Sequence, residues 1–282
     1  MQLKIYKVPL PLTLEEYQIG QLYAVAESSK QETGGGSGVE VLINEEYEDS
    51  NGKKGCHTLK HYFLRDKINS VFRKIAETAF GPDCFMFIEE AWNSFPYCKT
   101  IITHPTLKHF ELIVETMHCE DRGDNPAPPK LSDSEFLAID GKKQEYKNVE
   151  VYYIDITERI QMAETELQPT NYRCEAANRG PILPKHSKKW WETYDEGPIM
   201  CCYKLVRFKC NYLTLVGMNR RIENYFMEEE KNVFNRFNKQ VFCWMDKWYG
   251  MTMEDIRRLE EETKDVLKTQ RTELTEVQGY KA

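Results

Sequence analysis

The chain has no apolar run approaching the ~20 residues needed to span a bilayer, so it predicts no membrane-crossing helix. It lacks a leader pattern: MQLKIYKVPLPLTLEEY alternates and then turns acidic, with no apolar h-region and no small-residue cleavage site. Positive charge is not in excess. The net charge of -7 excludes nucleic-acid binding by bulk electrostatics and docking on anionic membranes by net charge alone. A local basic patch stays open. None of the nine cysteines forms a CxxC pair, and the count is odd. Without a leader this reads as reduced thiols in a cytoplasmic protein. The six histidines show no HExxH or HxH spacing. His57 and His61 lie on a stretch that reads as a strand, so no metal site is predicted. No GxSxG elbow occurs. Cys98 with His104 or His109 has the parts of a nucleophile and base, but nothing orients the base. The motifs therefore point away from an enzyme. Disorder is excluded by composition, with 41% hydrophobic and 29% charged residues, and 282 residues allow one large domain or two small ones.

What is present is strand alternation and two amphipathic helices. Leu3 to Val8 alternates, and Pro9 and Pro11 end it. Thr13-Leu14-Glu15-Glu16 is a capping box, predicting a helix to about Lys30 with Tyr17, Leu22 and Val25 or Ala26 inward. Gln21 lies in that helix beside Gly20, placed to point into whatever the sheet encloses. The glycine-rich ETGGGSGVEV (32–41) is neither a P-loop nor a dinucleotide fingerprint, because a helix precedes it and a strand follows. It reads as a flexible connection. Strands are predicted at Val39–Ile43, His57–Leu64, 85–93, 97–103, Phe110–Met117, Asn148–Ile156 and Met200–Lys209, with a short helix at 68–80. The succession is a meander, hence antiparallel. Residues 164–199 form a long irregular segment containing Trp190-Trp191, which predicts a functional or wrapping role. A long helix from Met218 to Tyr249 has Ile222, Phe226, Val233, Phe237, Val241, Trp244 or Met245, and Trp248 on one face, ended by Gly250. A charged helix capped at Thr252 follows, then a tail, TELTEVQGYKA, without a core pattern.

Chemistry concentrates in IEEAWNSFPYCKTIIT (88–103), two strands around a turn. Alternation puts Glu89, Ala91 and Asn93 on one face, Glu90 and Trp92 on the other, and Cys98 with Thr100 on a common face. Thr58, Lys60 and Tyr62 likewise share a face. Inward polar groups need partners, since a buried unsatisfied group costs about 1–3 kcal/mol. Either they pair with one another or they await a polar ligand. A buried Lys60 would need an anion, and a solvated face is the competing reading. A curved antiparallel sheet with one long helix can enclose a cavity suited to an apolar ligand, or can be a compact scaffold.

Several stretches resemble the phosphatidylinositol transfer proteins. EEYQIGQLYAVAESSKQETGGGSGVEVLINEEYE is similar to that family's N-terminal signature, and Gly55, Thr58 and Lys60 to its GxxTxK motif. EEAWNSFPYCKTIIT, VYYIDIT (151–157), NRGPI (178–182), MCCYKLV (200–206) and FCWMDKWYGMTMEDIRRLEEET (242–263) follow in the family's order. The resemblance runs from about residue 1 to about 268, in the manner of the short single-domain members. It implies an α+β, START-like helix-grip fold, in which one concave antiparallel sheet and two long helices enclose a lipid cavity. Residues 1–268 would form one phospholipid-binding domain, with 269–282 a tail in or beside the lid.

The resemblance also implies roles. Inositol contacts fall on Thr58, Lys60, Asn93 and Glu260. Phosphate contacts fall on Gln21, Thr100, Thr116 and Lys204. Cys98 lies near the choline end and Glu89 by the head group. The implied protein is a monomeric cytoplasmic carrier, transiently on membranes, exchanging phosphatidylinositol and phosphatidylcholine, without cofactor or metal. The alternative is a phospholipid sensor presenting lipid to phosphoinositide kinases. Where the family's best-known members carry a Trp-Trp membrane tip, this chain has Leu215-Val216 after a three-residue insertion. Trp190-Trp191 lies elsewhere, a possible substitute. Glu164 falls where the family has a phosphorylated serine.

Overall fold

A computed structural model describes residues 2–33, 38–48, 52–65, 73–74, 77, 81, 84–131, 136–137, 143–159, 168–183, 189–210 and 218–279. The chain opens with β1 (Gln2–Leu10) and α1 (Leu14–Glu32), followed by the meander β2 (Gly38–Glu48), β3 (Lys54–Phe63), β4 (Met86–Ser94), β5 (Tyr97–Thr103) and β6 (Phe110–Cys119). The small pair β7 (Phe136–Leu137) and β8 (Lys143–Gln144), then β9 (Val151–Tyr153), precede α2 (Trp190–Thr193) and β10 (Met200–Cys210). Helices α3 (Met218–Cys243), α4 (Met245–Trp248) and α5 (Met253–Gly279) complete it.

The main sheet has eight strands in the order β2-β3-β4-β5-β6-β10-β1-β9. All its pairings are antiparallel except β1 with β9, which is parallel. One face carries the main core. Tyr6, Leu112, Val114, Val206 and Phe208 from the sheet join Tyr17 and Ala24 of α1 and Met227, Phe234 and Val241 of α3. Tyr6 donates to the Met227 carbonyl at 3.0 Å and Tyr17 to Asn238 Oδ1 at 3.2 Å, so both rings are buried with their hydroxyls satisfied. The opposite face is covered at one end by a smaller cluster of Ile5, Leu131, Tyr146, Val149, Cys201, Tyr203 and Leu205.

Local signals behave as their chemistry predicts. Thr13 caps α1, its Oγ1 accepting from the Glu16 N–H while Glu16 Oε2 accepts from the Thr13 N–H. Thr252 and Asp255 cap α5 reciprocally. Gly250 turns the chain at φ +86, a conformation that disfavours any Cβ. Gly20 serves a different need: a Cβ there would lie 2.8 Å from the Trp248 indole, so α1 can approach α4 only because it is absent.

Several expectations shift. Strand β2 runs on through Glu48, because residues 45–48 pair with β3 instead of forming a link. The 148–156 strand shrinks to Val151–Tyr153, with a 3-10 turn over Tyr146–Asn148 before it. The long helix breaks at Trp244. Val233 is exposed, while Phe234 and Met227 take the inward positions. The terminal helix continues through most of the coreless tail, to Gly279. Trp190 and Trp191 are buried, with Trp190 Nε1 donating to Asp155 Oδ1 at 3.1 Å, so they cannot substitute for a membrane tip. Leu215, Val216 and Glu164 lie outside the described residues, as does most of the 68–80 helix.

Candidate functional site

The ladder register brings the sequence-predicted polar residues of the sheet onto one face. Cross-strand partners point to the same side. A single line of direct partners crosses the whole sheet: Glu46, Cys56, Asn93, Cys98, Thr116, Lys204, Tyr6 and Tyr152. The next line holds Asn44, Thr58, Ala91, Thr100, Val114 and Val206. A third holds Lys60, Glu89, Ile102, Leu112 and Phe208. Thr58, Lys60, Glu89, Asn93, Cys98, Thr100, Thr116 and Lys204 therefore share the face on which the helices pack. The polar groups gather over β3 to β5 and along the first line. The other two lines become apolar towards β6 and β10.

Lys60 resolves its alternatives by pairing. Its Nζ lies 3.6 Å from Glu89 Oε1, its direct cross-strand partner, and the Tyr62 hydroxyl donates to the same oxygen at 3.4 Å. Lys204 Nζ donates to Thr116 Oγ1 at 3.3 Å and sits 4.8 Å over the Phe234 ring of α3. Gln21 is buried on α1, one turn after Tyr17. The Tyr17 ring packs 5.0 Å from His118, two residues along β6 from Thr116. Glu260, on α5, receives a hydrogen bond from Arg257 Nη1 at 3.1 Å. Among the described residues, the buried side-chain atoms without a hydrogen-bond partner include Gln21 Nε2 and Asn93 Oδ1.

The electrostatics work against Cys98 as a nucleophile. Burial pushes the Cys98 thiol up to about 12, against the opposing pull of Lys204, so it stays protonated. His104 is committed elsewhere: its Nδ1 accepts from the Thr106 and Leu107 N–H groups, and Nε2 donates to the Cys84 carbonyl. His118 is pushed down to about 3 by burial, with Lys204 adding, and its Nδ1 donates to the Pro96 carbonyl at 2.7 Å. Its ring stacks on Phe95 at 5.0 Å. Glu230 of α3 is pushed up to about 7 by burial, with Lys204 opposing and Glu89 and Glu229 adding. On the far face, Trp92 stacks on His57 at 5.4 Å, which makes it a packing residue.

Sequence reading missed Glu230, Phe234, His118, Arg257 and Cys56. Glu230 had a signal: it lies four residues after Phe226 and four before Phe234, a carboxylate within the inward stripe of α3. Arg257 and Cys56 had none, because nothing local shows that the start of α5 meets β2 and β3.

An open, mostly antiparallel sheet gripped on one face by long helices, with a polar patch grading into an apolar surface, is an α+β architecture of the START-like helix-grip type. A family profile described as phosphatidylinositol transfer protein matches residues 1–265. The human phosphatidylinositol transfer protein beta isoform is 40% identical over 274 residues, covering 95% of this chain and 94% of its own length. Phosphatidylinositol transfer protein 1 of Dictyostelium discoideum is 40% identical over 273 residues, covering 95% of each chain. The human membrane-associated phosphatidylinositol transfer protein 2 is 36% identical over 283 residues, but these are only 19% of that protein. The chain belongs to the phosphatidylinositol transfer protein family. That family is one of lipid transfer, not of enzymes. Among the described residues, no helix is long and apolar enough to cross a membrane.

Proposed function

We propose that this chain binds one phospholipid, phosphatidylinositol or phosphatidylcholine, in a cavity between the inner sheet face and the helices, and exchanges it between membranes. The observation that carries the reading is the pair of orphaned atoms. Gln21 Nε2 is a buried donor and Asn93 Oδ1 a buried acceptor, each without a hydrogen-bond partner among the described residues. Leaving such groups unmade costs about 1–3 kcal/mol each. A phosphate supplies the acceptor that Gln21 lacks, and a sugar hydroxyl supplies the donor that Asn93 lacks.

The remaining assignments follow the same chemistry. Lys204, Thr100, Thr116 and Gln21 offer a cation and uncharged donors to a phosphate. Thr58 and Asn93 both donate and accept, Lys60 donates and Glu260 accepts, as a ring of hydroxyls requires. Cys98 and Glu89 lie beside them, Cys98 being the small, uncharged neighbour for a choline. Two acyl chains are worth on the order of 20 kcal/mol at about 0.8 kcal/mol per buried CH₂, so a carrier must enclose both. α5 with the tail is the segment assigned to opening. Leu215 and Val216 are assigned to membrane contact on sequence alone.

Native mass spectrometry of the purified protein tests the binding, and transfer of labelled lipid between vesicles tests the exchange. Absence of any co-purified phospholipid would overturn the reading. Bound lipid without vesicle-to-vesicle transfer would leave a sensor that presents lipid to kinases.

A further inference from the structure

The inositol end of the proposed site has a layer behind it. Arg257 lies one turn before Glu260 on α5, and its Nη1 donates to Glu260 Oε2. Among the described residues Oε1 of that carboxylate has no hydrogen-bond partner, so it can accept a hydroxyl. The same guanidinium stands 3.9 Å from Glu46 Oε1 on β2 and reaches the Cys56 thiol on β3. Glu46 and Cys56 are direct partners across the ladder. Cys56 also faces Asn93 directly, and its Sγ donates to Asn44 Oδ1 at 2.9 Å. Asn44 is in turn the cross-strand partner of Thr58. One side chain thus joins the terminal helix to the two strands nearest Thr58 and Asn93.

The physical consequence concerns Glu260. A glutamate side chain has several rotamers and must be ordered before it can read a hydroxyl. The planar fork of arginine holds one carboxylate oxygen by a charge-assisted bond and aims the other. Glu46 is 82% exposed, so its ion pair adds little energy. What it and Cys56 contribute is placement: the fork is in position only while α5 lies against β2 and β3.

We propose that Arg257 is a positioning residue for inositol, aiming Glu260 and making inositol recognition conditional on α5 being seated on the β2–β3 edge. The proposal rests on the lipid-site reading above. It is tested by phosphatidylinositol transfer between labelled vesicles in a mutant cycle of the full chain: Arg257→Ala, Arg257→Lys, Glu260→Gln and the Ala/Gln double variant, with Lys60→Ala alongside.

Arg257→Ala is expected to lower transfer about tenfold, the weight of one charge-assisted hydrogen bond. Arg257→Lys should lower it less, since the charge remains and the fork is lost. In the Glu260→Gln background the Arg257→Ala change should lower transfer by less than about twofold, because the two residues act as a unit. An additive cycle overturns the proposal, and so does an equal fall in phosphatidylcholine transfer, which is what a role confined to seating α5 would produce. So does an Arg257→Ala protein with unchanged transfer. If Lys60→Ala also leaves phosphatidylinositol transfer intact, the inositol reading itself fails and this inference falls with it. If Lys60→Ala lowers transfer while the cycle is additive, only the role of Arg257 is lost.

Discussion

Thr116 and Lys204 stand directly opposite one another on neighbouring strands, and the lysine Nζ donates to the threonine hydroxyl at 3.3 Å. They are far apart in sequence, and only the ladder between β6 and β10 brings them together. A cation and a hydroxyl on one sheet face are the donors that the proposed phosphate contact requires.

The phosphate is common to every candidate phospholipid. Lys204→Ala and Thr116→Ala are therefore expected to lower transfer of phosphatidylinositol and phosphatidylcholine together, by about tenfold or more for the lysine. Vesicle transfer with each labelled lipid checks this. A loss confined to one lipid would place the phosphate elsewhere.

Inositol differs from choline in its hydroxyls, so Thr58→Ala should lower phosphatidylinositol transfer about tenfold more than phosphatidylcholine transfer. Lys60→Ala should act in the same direction, but it also strips Glu89 of its ion pair and leaves the Tyr62 hydroxyl on that carboxylate. Thr58→Ala is therefore the cleaner substitution. Competition between the two lipids for one vesicle assay measures the ratio, and an unchanged ratio would remove Thr58 from the inositol contacts.

Glu230 should give the folded state a pH dependence. Its carboxyl is raised to about 7, chiefly by burial, so the folded chain holds that proton at pH values where the unfolded chain has lost it. Stability from this group is complete below the ordinary carboxyl value and is lost as pH rises towards 7 and beyond. Between about pH 5 and pH 8 the native protein should lose on the order of 2 kcal/mol more than Glu230→Gln, less where solvent reaches the carboxyl. His118, lowered to about 3, acts in the opposite sense as pH falls, but it is common to both proteins and cancels in the difference. Denaturant titrations at the two pH values check the prediction; parallel pH profiles would contradict it.

Trp190 is 2% exposed and packs edge-on against Trp191 and Tyr194. Trp190→Ala should cost about 3–5 kcal/mol of folding stability. A variant of native stability with weakened vesicle binding would reverse the conclusion that this pair is core.

How much of this was legible in the sequence differs from residue to residue. Which side chains share a sheet face was readable, because period-two alternation is a local property of extended backbone. Glu89 with Asn93, and Cys98 with Thr100, follow from parity alone, as does the banishment of Trp92 to the far face. The cap at Thr13 and the turn at Gly250 were readable for the same reason: each depends on a few neighbouring residues.

Parity does not say which strand lies beside which, or what covers a face. The extension of β2 through Glu48 depends on β3 as its partner, and the burial of Phe234 in place of Val233 on the rotation of α3 against the sheet. The alternatives for Lys60, solvated or paired, were settled by Glu89 standing opposite it. Arg257 meeting Glu46 and Cys56 required a helix from the end of the chain to lie on strands from its beginning. Local backbone geometry determined the faces and caps; long-range packing decided which of those faces meet, because contact energies between residues distant in sequence have no local signature.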